Sequence, residues 1–207
     1  MSGSHSKIIA SAAKGELAAL GFKRQGQSRL WVKDHGFWLN VVQFTPSRWS
    51  VVVQLDNCAH WLWGGAGFMS FNYIVRSTPY VELKDENQFR SEVFEIARLA
   101  AAEAVKIDEK FSSFEAIATF ASEDARRSQR QRPSWFGYYA GVAAGILGNL
   151  EEAEQFLRGI TDERVVPHAN RFLAAINSPT GFRMEANEVL AAQRATLKLP
   201  PLEKAVF

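Results

Sequence analysis

Asp56, Cys58 and His60 are the one group in this sequence whose residue types and spacing could do chemistry together. In an extended strand, alternate residues share a face and lie about 6.6 Å apart along the chain. A thiolate–imidazole pair needs a contact of about 2.6–3.2 Å, so this spacing disfavours direct Cys58–His60 activation unless the backbone bends. The same three side chains could hold a metal if a fourth ligand came from elsewhere. Against both stands the tendency of cysteine to be buried as a small hydrophobe.

Other chemistry-bearing types are sparser still. Adjacent carboxylates occur at Asp108/Glu109, Glu123/Asp124, Glu151/Glu152 and Asp162/Glu163. Neighbours on a helix point about 100° apart, so these read as solvated faces and helix-end charges rather than acid–base pairs. Arg126 to Arg132 holds four guanidiniums in seven residues, without an interleaved aromatic, and Pro133 ends it. Arg48 beside Trp49, with Lys23, Arg24, Arg29 and Lys33, makes a better case for single-stranded nucleic acid: cations for the backbone and indoles for stacking. A net charge of only +2 argues against that reading. Gly64, Gly65 and Gly67 lack the spacing and lysine of a phosphate-cradling loop, and no His-Glu-x-x-His or Gly-x-Ser-x-Gly is present.

The elements that would position these groups follow from periodicity. Residues 7–20 place Ile8, Ile9, Ala12, Ala13 and Leu17 at helical spacing, with Gly21 as the stop. Residues 22–26 are a connector. Strands are expected over 27–33, 37–44 and 49–55, divided by Asp34-His35-Gly36 and Pro46-Ser47, and a fourth over 68–75. Both faces of the second strand are largely apolar, so both should be covered. Asp85 with Gln88 opens a helix to about Val105, and Ser112 with Glu115 opens another to about Ala125. Helices then follow over 135–147, 150–158 (capped by Asn149), from Pro167, and over 182–198. The result is an α+β class: an N-terminal helix and a three- to four-stranded antiparallel sheet crossed by a long helix make a domain over 1–107, and an antiparallel helical bundle makes a second over 108–207.

Leu20-Gly21-Phe22-Lys23-Arg24-Gln25-Gly26, then Leu30-Trp31, Asn40 to Phe44 and Trp49 to Leu55, resemble the bacterial DUF4304-like proteins over about residues 7–75. The last triplet, Gln54-Leu55-Asp56, departs from the family's Asn-Leu-Gly-like pattern. The resemblance implies an α+β sheet domain and brings no catalytic residues with it. A shorter likeness, Leu147-Gly148-Asn149-Leu150-Glu151-Glu152-Ala153 with Gly141, is similar to the middle of one tetratricopeptide unit. An array needs about three such units, so an ordinary helix hairpin is the better reading.

The 207 residues have 47% hydrophobic and 22% charged content, which excludes a disordered or fibrous chain. Residues 1–84 carry nine Lys/Arg against four Asp/Glu, leaving fifteen against eighteen in the remainder. Five of the six tryptophans lie in that basic first part. A single cysteine excludes an internal disulfide. The start lacks the apolar run of an export signal, and residues 135–150 are too short to span a bilayer. A cytoplasmic location is therefore expected.

Function is expected to be non-enzymatic protein binding, in the manner of a bacterial immunity-type inhibitor or adaptor, with no cofactor, no metal and no catalytic residue assigned. The expected surface is Trp38, Arg48, Trp49, Trp61 and Trp63, because Trp and Arg dominate interface hot spots. The alternatives are single-stranded nucleic-acid binding and an enzyme built on Cys58/His60.

Overall fold

The computed structural model describes residues 4–26, 28–46, 52–76, 78–128 and 134–207. They form an α+β structure that divides into two compact units: residues 1–61 with 70–110, and residues 62–69 with 111–207.

The first unit is a sheet with helices on one face. Helix α1 (Ser4–Leu17) runs into a 3₁₀ turn closed by Gly21, whose φ of +87° is the left-handed stop that a glycine supplies most readily. Strands β1 (Lys23–Arg24), β2 (Leu30–Asp34), β3 (Trp38–Pro46), β4 (Val52–Trp61) and β5 (Tyr73–Val75) are neighbours in that order, all antiparallel. Strand β6 (Val81–Glu82) also pairs with β4, at Val52 and Val53, whereas β5 pairs at Asn57 to Ala59. Helix α2 (Glu86–Lys110) starts at Asp85, whose carboxylate accepts from the backbone N–H groups of Asn87 and Gln88, both at 2.9 Å.

One face of the sheet and the two helices share a core. Trp31, Val42, Phe44, Val53 and Leu55 meet Ile9, Ala13 and Leu17 of α1 and Phe89, Val93 and Ile96 of α2. The other face is also withdrawn from solvent, since Leu39, Val41, Cys58 and His60 are all buried. Two asparagines interrupt the apolar face beneath α2. Asn40 Nδ2 donates to Ala104 O and Asn57 Nδ2 to Ala100 O, each at 2.8 Å, so the sheet grips two helix carbonyls one turn apart. Alanines at 97, 100, 101 and 104 keep that side of the helix thin enough for the approach.

In the second unit, α3 (Phe114–Ser128), α4 (Trp135–Ile146), α5 (Leu150–Arg158), α6 (Val166–Ala174) and α7 (Pro179–Thr196) follow one another along the chain. Caps explain the starts. Ser113, rather than Ser112, caps α3 by accepting from Ala116 N at 3.2 Å. Asn149 accepts from Glu152 N at 3.3 Å, and Ser178 accepts from Gly181 N at 3.1 Å. Helix α4 packs closely through glycine: a Cβ at Gly141 would lie 2.8 Å from Leu157 Cγ, and one at Gly145 would lie 2.3 Å from the Phe182 ring. No described helix is long and apolar enough to cross a membrane.

Candidate functional site

Cys58 and His60 do share a face of β4, as their spacing requires, but both are fully buried. Burial pushes the Cys58 thiol up to about 12, and the nearby Asp56 charge adds to the rise against a smaller lowering by Arg76. Burial also lowers His60 to about 4, opposed by its hydrogen bonds to Ser70 and Asn72. The Asp56 carboxylate meets Arg76 Nε at 3.5 Å. A protonated thiol and a neutral imidazole sealed from solvent cannot serve as nucleophile and base toward a substrate. Among the described residues no three His, Cys, Asp or Glu side chains cluster as metal ligands.

The expected tryptophan surface is corrected by burial. Trp38 and Trp61 are each 1% exposed and Trp63 is 0% exposed. Trp38 and Trp61 face one another across the β3–β4 register, edge to face at 6.1 Å between ring centroids. Trp63 belongs to the other unit, where its ring meets Phe114 at 5.7 Å and Tyr139 at 5.8 Å, both edge to face. These indoles are too large and too well supplied with apolar neighbours to remain in water. Arg48 and Trp49 lie outside the described residues. So do Arg130 and Arg132 of the arginine run, whereas Arg126 pairs with Glu152 at 2.7 Å.

A polar cluster that sequence reasoning missed gathers on Asp108, in the last turn of α2. Its carboxylate accepts from Lys33 Nζ at 2.7 Å and from Asn40 Nδ2 at 2.8 Å. His35 Nε2 lies 2.8 Å from Asp108 Oδ1 and donates in the tautomer that this contact requires. The His35 ring is stacked on Trp38, with centroids 4.3 Å apart and planes 4° apart. Burial alone would raise the Asp108 pKa, but the hydrogen bonds from His35, Asn40 and Lys33 outweigh it and hold the carboxyl down at about 2. A carboxylate so fully supplied with donors is a poor base. It fastens the end of α2 to the β2–β3 hairpin. The signal that could have found it is that Asp108 continues the α2 stripe, four residues after Ala104, beyond the helix end expected at about Val105.

In the helical unit, chemistry of a different kind appears along α7. Residues 199–207 have no regular secondary structure and turn back over that helix. Arg194 donates to Pro200 O from Nε at 3.0 Å and from Nη2 at 2.7 Å. Asn187 accepts from Val206 N at 2.9 Å and Phe207 N at 3.3 Å, and donates to Phe207 O at 3.1 Å. The Phe207 ring stands edge-on to Phe114 at 5.0 Å. Between α7 and this strap lies a cavity of about 400 Å³, apolar apart from Asn187, Arg194, Glu203 and Lys204. A second hollow, of about 330 Å³ between α3, α4 and the start of α5, is crossed by the Arg126–Glu152 pair and by Asn149 and Ser122 bonded to the same carboxylate. Glu152 thus already accepts from three of the polar side chains that line it. The strap and α7 together are the better candidate for recognition: helix side chains hold an irregular backbone through both its N–H and C=O groups.

No family model, curated protein or solved structure matches this chain.

Proposed function

We propose that this chain is a non-enzymatic, cytosolic protein-binding module, an adaptor or immunity-type inhibitor, that engages its partner through the helical unit. The observation that carries the reading is the grip of Asn187 and Arg194 on an irregular segment by its backbone. Such contacts are indifferent to side-chain identity, and any extended stretch of a partner offers the same N–H and C=O groups. Exposed Met184, at 62%, lies on the same helix and supplies apolar area that water solvates poorly.

The competing functions lose support from burial. The Cys58/His60 enzyme would need a thiolate that the enclosed thiol does not provide. The nucleic-acid reading would need indoles free to stack on bases, and Trp38 and Trp61 are enclosed. The likeness of residues 7–75 to the DUF4304-like proteins bears on descent and not on role.

Mixing the purified chain with products of its neighbouring genes, followed by size-exclusion chromatography, tests the proposal. A complex at micromolar concentration that Asn187→Ala or Met184→Glu weakens about tenfold, close to 1.4 kcal/mol, is the expected result. No complex with any such product, or one indifferent to both substitutions, overturns it.

A further inference from the structure

We infer that residues 62–69 are a keystone of the helical unit: the sheet unit presents this loop ready-shaped, the helices close their core around it, and their protection depends on the neck of the loop being shut.

The segment reaches the helical unit from elsewhere in the sequence. The chain leaves β4 at Trp61, joins the helical unit over 62–69 and returns to the sheet unit at Ser70, long before α3 begins. Leu62 and Trp63 are nevertheless fully buried there. Trp63 stands edge-on to Phe114 of α3 and to Tyr139 of α4, and the turn Leu62–Gly64 packs on α4 and α7. Helices assembled without that indole would enclose a void, which close-packed interiors do not tolerate cheaply.

The run Gly64-Gly65-Ala66-Gly67, which fits no phosphate-cradling pattern, has its physical reason here. A Cβ at Gly64 would lie 2.3 Å from Tyr139 Cε1, and one at Gly65 would lie 2.6 Å from Val189 Cγ1. Bare backbone is what lets the loop lie against α4 and α7. Gly65 and Gly67 also take φ values of +62° and +75°, which residues with a side chain adopt reluctantly. Gln193 of α7, only 2% exposed, then closes on the loop's backbone. Its Oε1 accepts from Gly67 N at 2.9 Å, and its Nε2 donates to Phe68 O at 3.0 Å.

The neck of the loop lies in the sheet unit. Asn72 N donates to Ala59 O at 2.9 Å, and Asn72 Oδ1 accepts from Trp61 N at 2.8 Å. One asparagine thus draws the outgoing and returning chain together, as in a compact loop whose ends are close. With the neck closed, the loop has lost much of its freedom before the helices touch it, so little further ordering opposes its docking. With the neck open, the tip is an ordinary tethered stretch and its hold on α4 and α7 weakens. A side chain bonded to β4 therefore supports helices of the other unit through the loop between them.

A double-variant cycle on the full chain tests this, read by native-state hydrogen exchange with mass spectrometry in low guanidinium. Gln193→Met keeps the side-chain length and removes both bonds to the tip, and Asn72→Ala opens the neck. Each alone should speed exchange of the α4 and α7 amides about five- to tenfold. Because the neck acts through the tip, adding Asn72→Ala to Gln193→Met should bring less than about a threefold further increase. Faster exchange confined to residues 57–75 in the Asn72→Ala chain overturns the inference, and so does a further increase of about threefold or more in the double variant. Where the double variant does not fold, Trp63→Phe takes the place of Gln193→Met in the same cycle, and the same two results decide.

Discussion

Helix α4 carries glycines at 137, 141 and 145, and the same substitution should have opposite effects at its two ends. An ideal Cβ at Gly145 would lie 2.3, 2.3 and 2.7 Å from three atoms of the Phe182 ring. Carbon atoms in contact ordinarily stand about 3.5–4.0 Å apart, so the overlap exceeds an ångström. Phe182 is fully buried and packs on Phe172 with ring centroids 5.0 Å apart, which leaves the ring no room to retreat. Overpacking of this kind costs about 1–3 kcal/mol, and an unyielding ring places Gly145→Ala at the upper end. Better helix propensity returns at most about 1 kcal/mol. The net loss is about 2 kcal/mol, on the order of a 10 °C fall in midpoint for a unit of this size. At Gly137 the nearest atoms to the added methyl are Phe156 O at 3.9 Å and Ile160 Cγ1 at 4.0 Å, an ordinary contact. Gly137→Ala should therefore stabilise by about 0.5–1 kcal/mol. Urea and thermal unfolding followed by far-ultraviolet circular dichroism read both variants. If Gly145→Ala matched or exceeded the wild type, the close α4–α7 packing described above would be wrong.

Two pH dependences follow from the sheet unit. Asp108 has a folded pKa near 2 against an ordinary value of 3.8, so its contribution is present above about pH 4 and disappears as pH falls through 2. The depression converts to roughly 2.4 kcal/mol, and to about 1 kcal/mol once screening of a partly exposed carboxylate is allowed for. Asp108→Asn should cost that amount in urea melts at pH 7 and nothing at pH 2; an unchanged midpoint at pH 7 would refute the lock. His60 is held neutral, with a folded pKa near 4 against 6.5, so the unfolded chain binds the extra proton and stability falls between pH 6.5 and 4, by up to about 3 kcal/mol. His60→Phe should flatten that window in guanidinium titrations at fixed pH, and an equal slope in both proteins would sink the assignment.

The parts of the fold that were legible in the sequence are those set by local rules. Turn residues at 34–36 divide β2 from β3, Asp85 caps α2 and Asn149 starts α5, whereas α7 begins at Pro179, capped by Ser178, three residues before the expected start at 182. Misreadings arose where a tertiary partner overrides local preference. The apolar run of the third long strand ends at Leu55, where Asp56 and Asn57 interrupt it. The strand runs on to Trp61, with Asp56 facing Arg76 and Asn57 bonded to a helix carbonyl. The strand expected over 68–75 is reduced to Tyr73–Val75, and Lys23–Arg24, read as a connector, pairs with β2. Neither Asn187 nor Arg194 carried a signal, since their partners are backbone groups of a segment without a periodic pattern.

The tryptophans show why residue type alone misled about the surface. Trp and Arg are frequent in interfaces, yet an indole is also the largest side chain available to close a core, and only its neighbours decide between the two. Trp38 is enclosed by contacts with His35 and Trp61, one from a turn and one from the opposite strand. The asparagines make the converse point. A polar residue amid an apolar strand face reads as a flaw, but Asn40 and Asn57 each donate to a carbonyl of α2 while their own Oδ1 atoms stay buried with no hydrogen-bond partner among the described residues. Because side chains alternate between faces, a one-residue slip of β3 or β4 would swing its asparagine away from α2 and forfeit the bond. The pair thus fixes the register of the two central strands beneath the helix that carries Asp108.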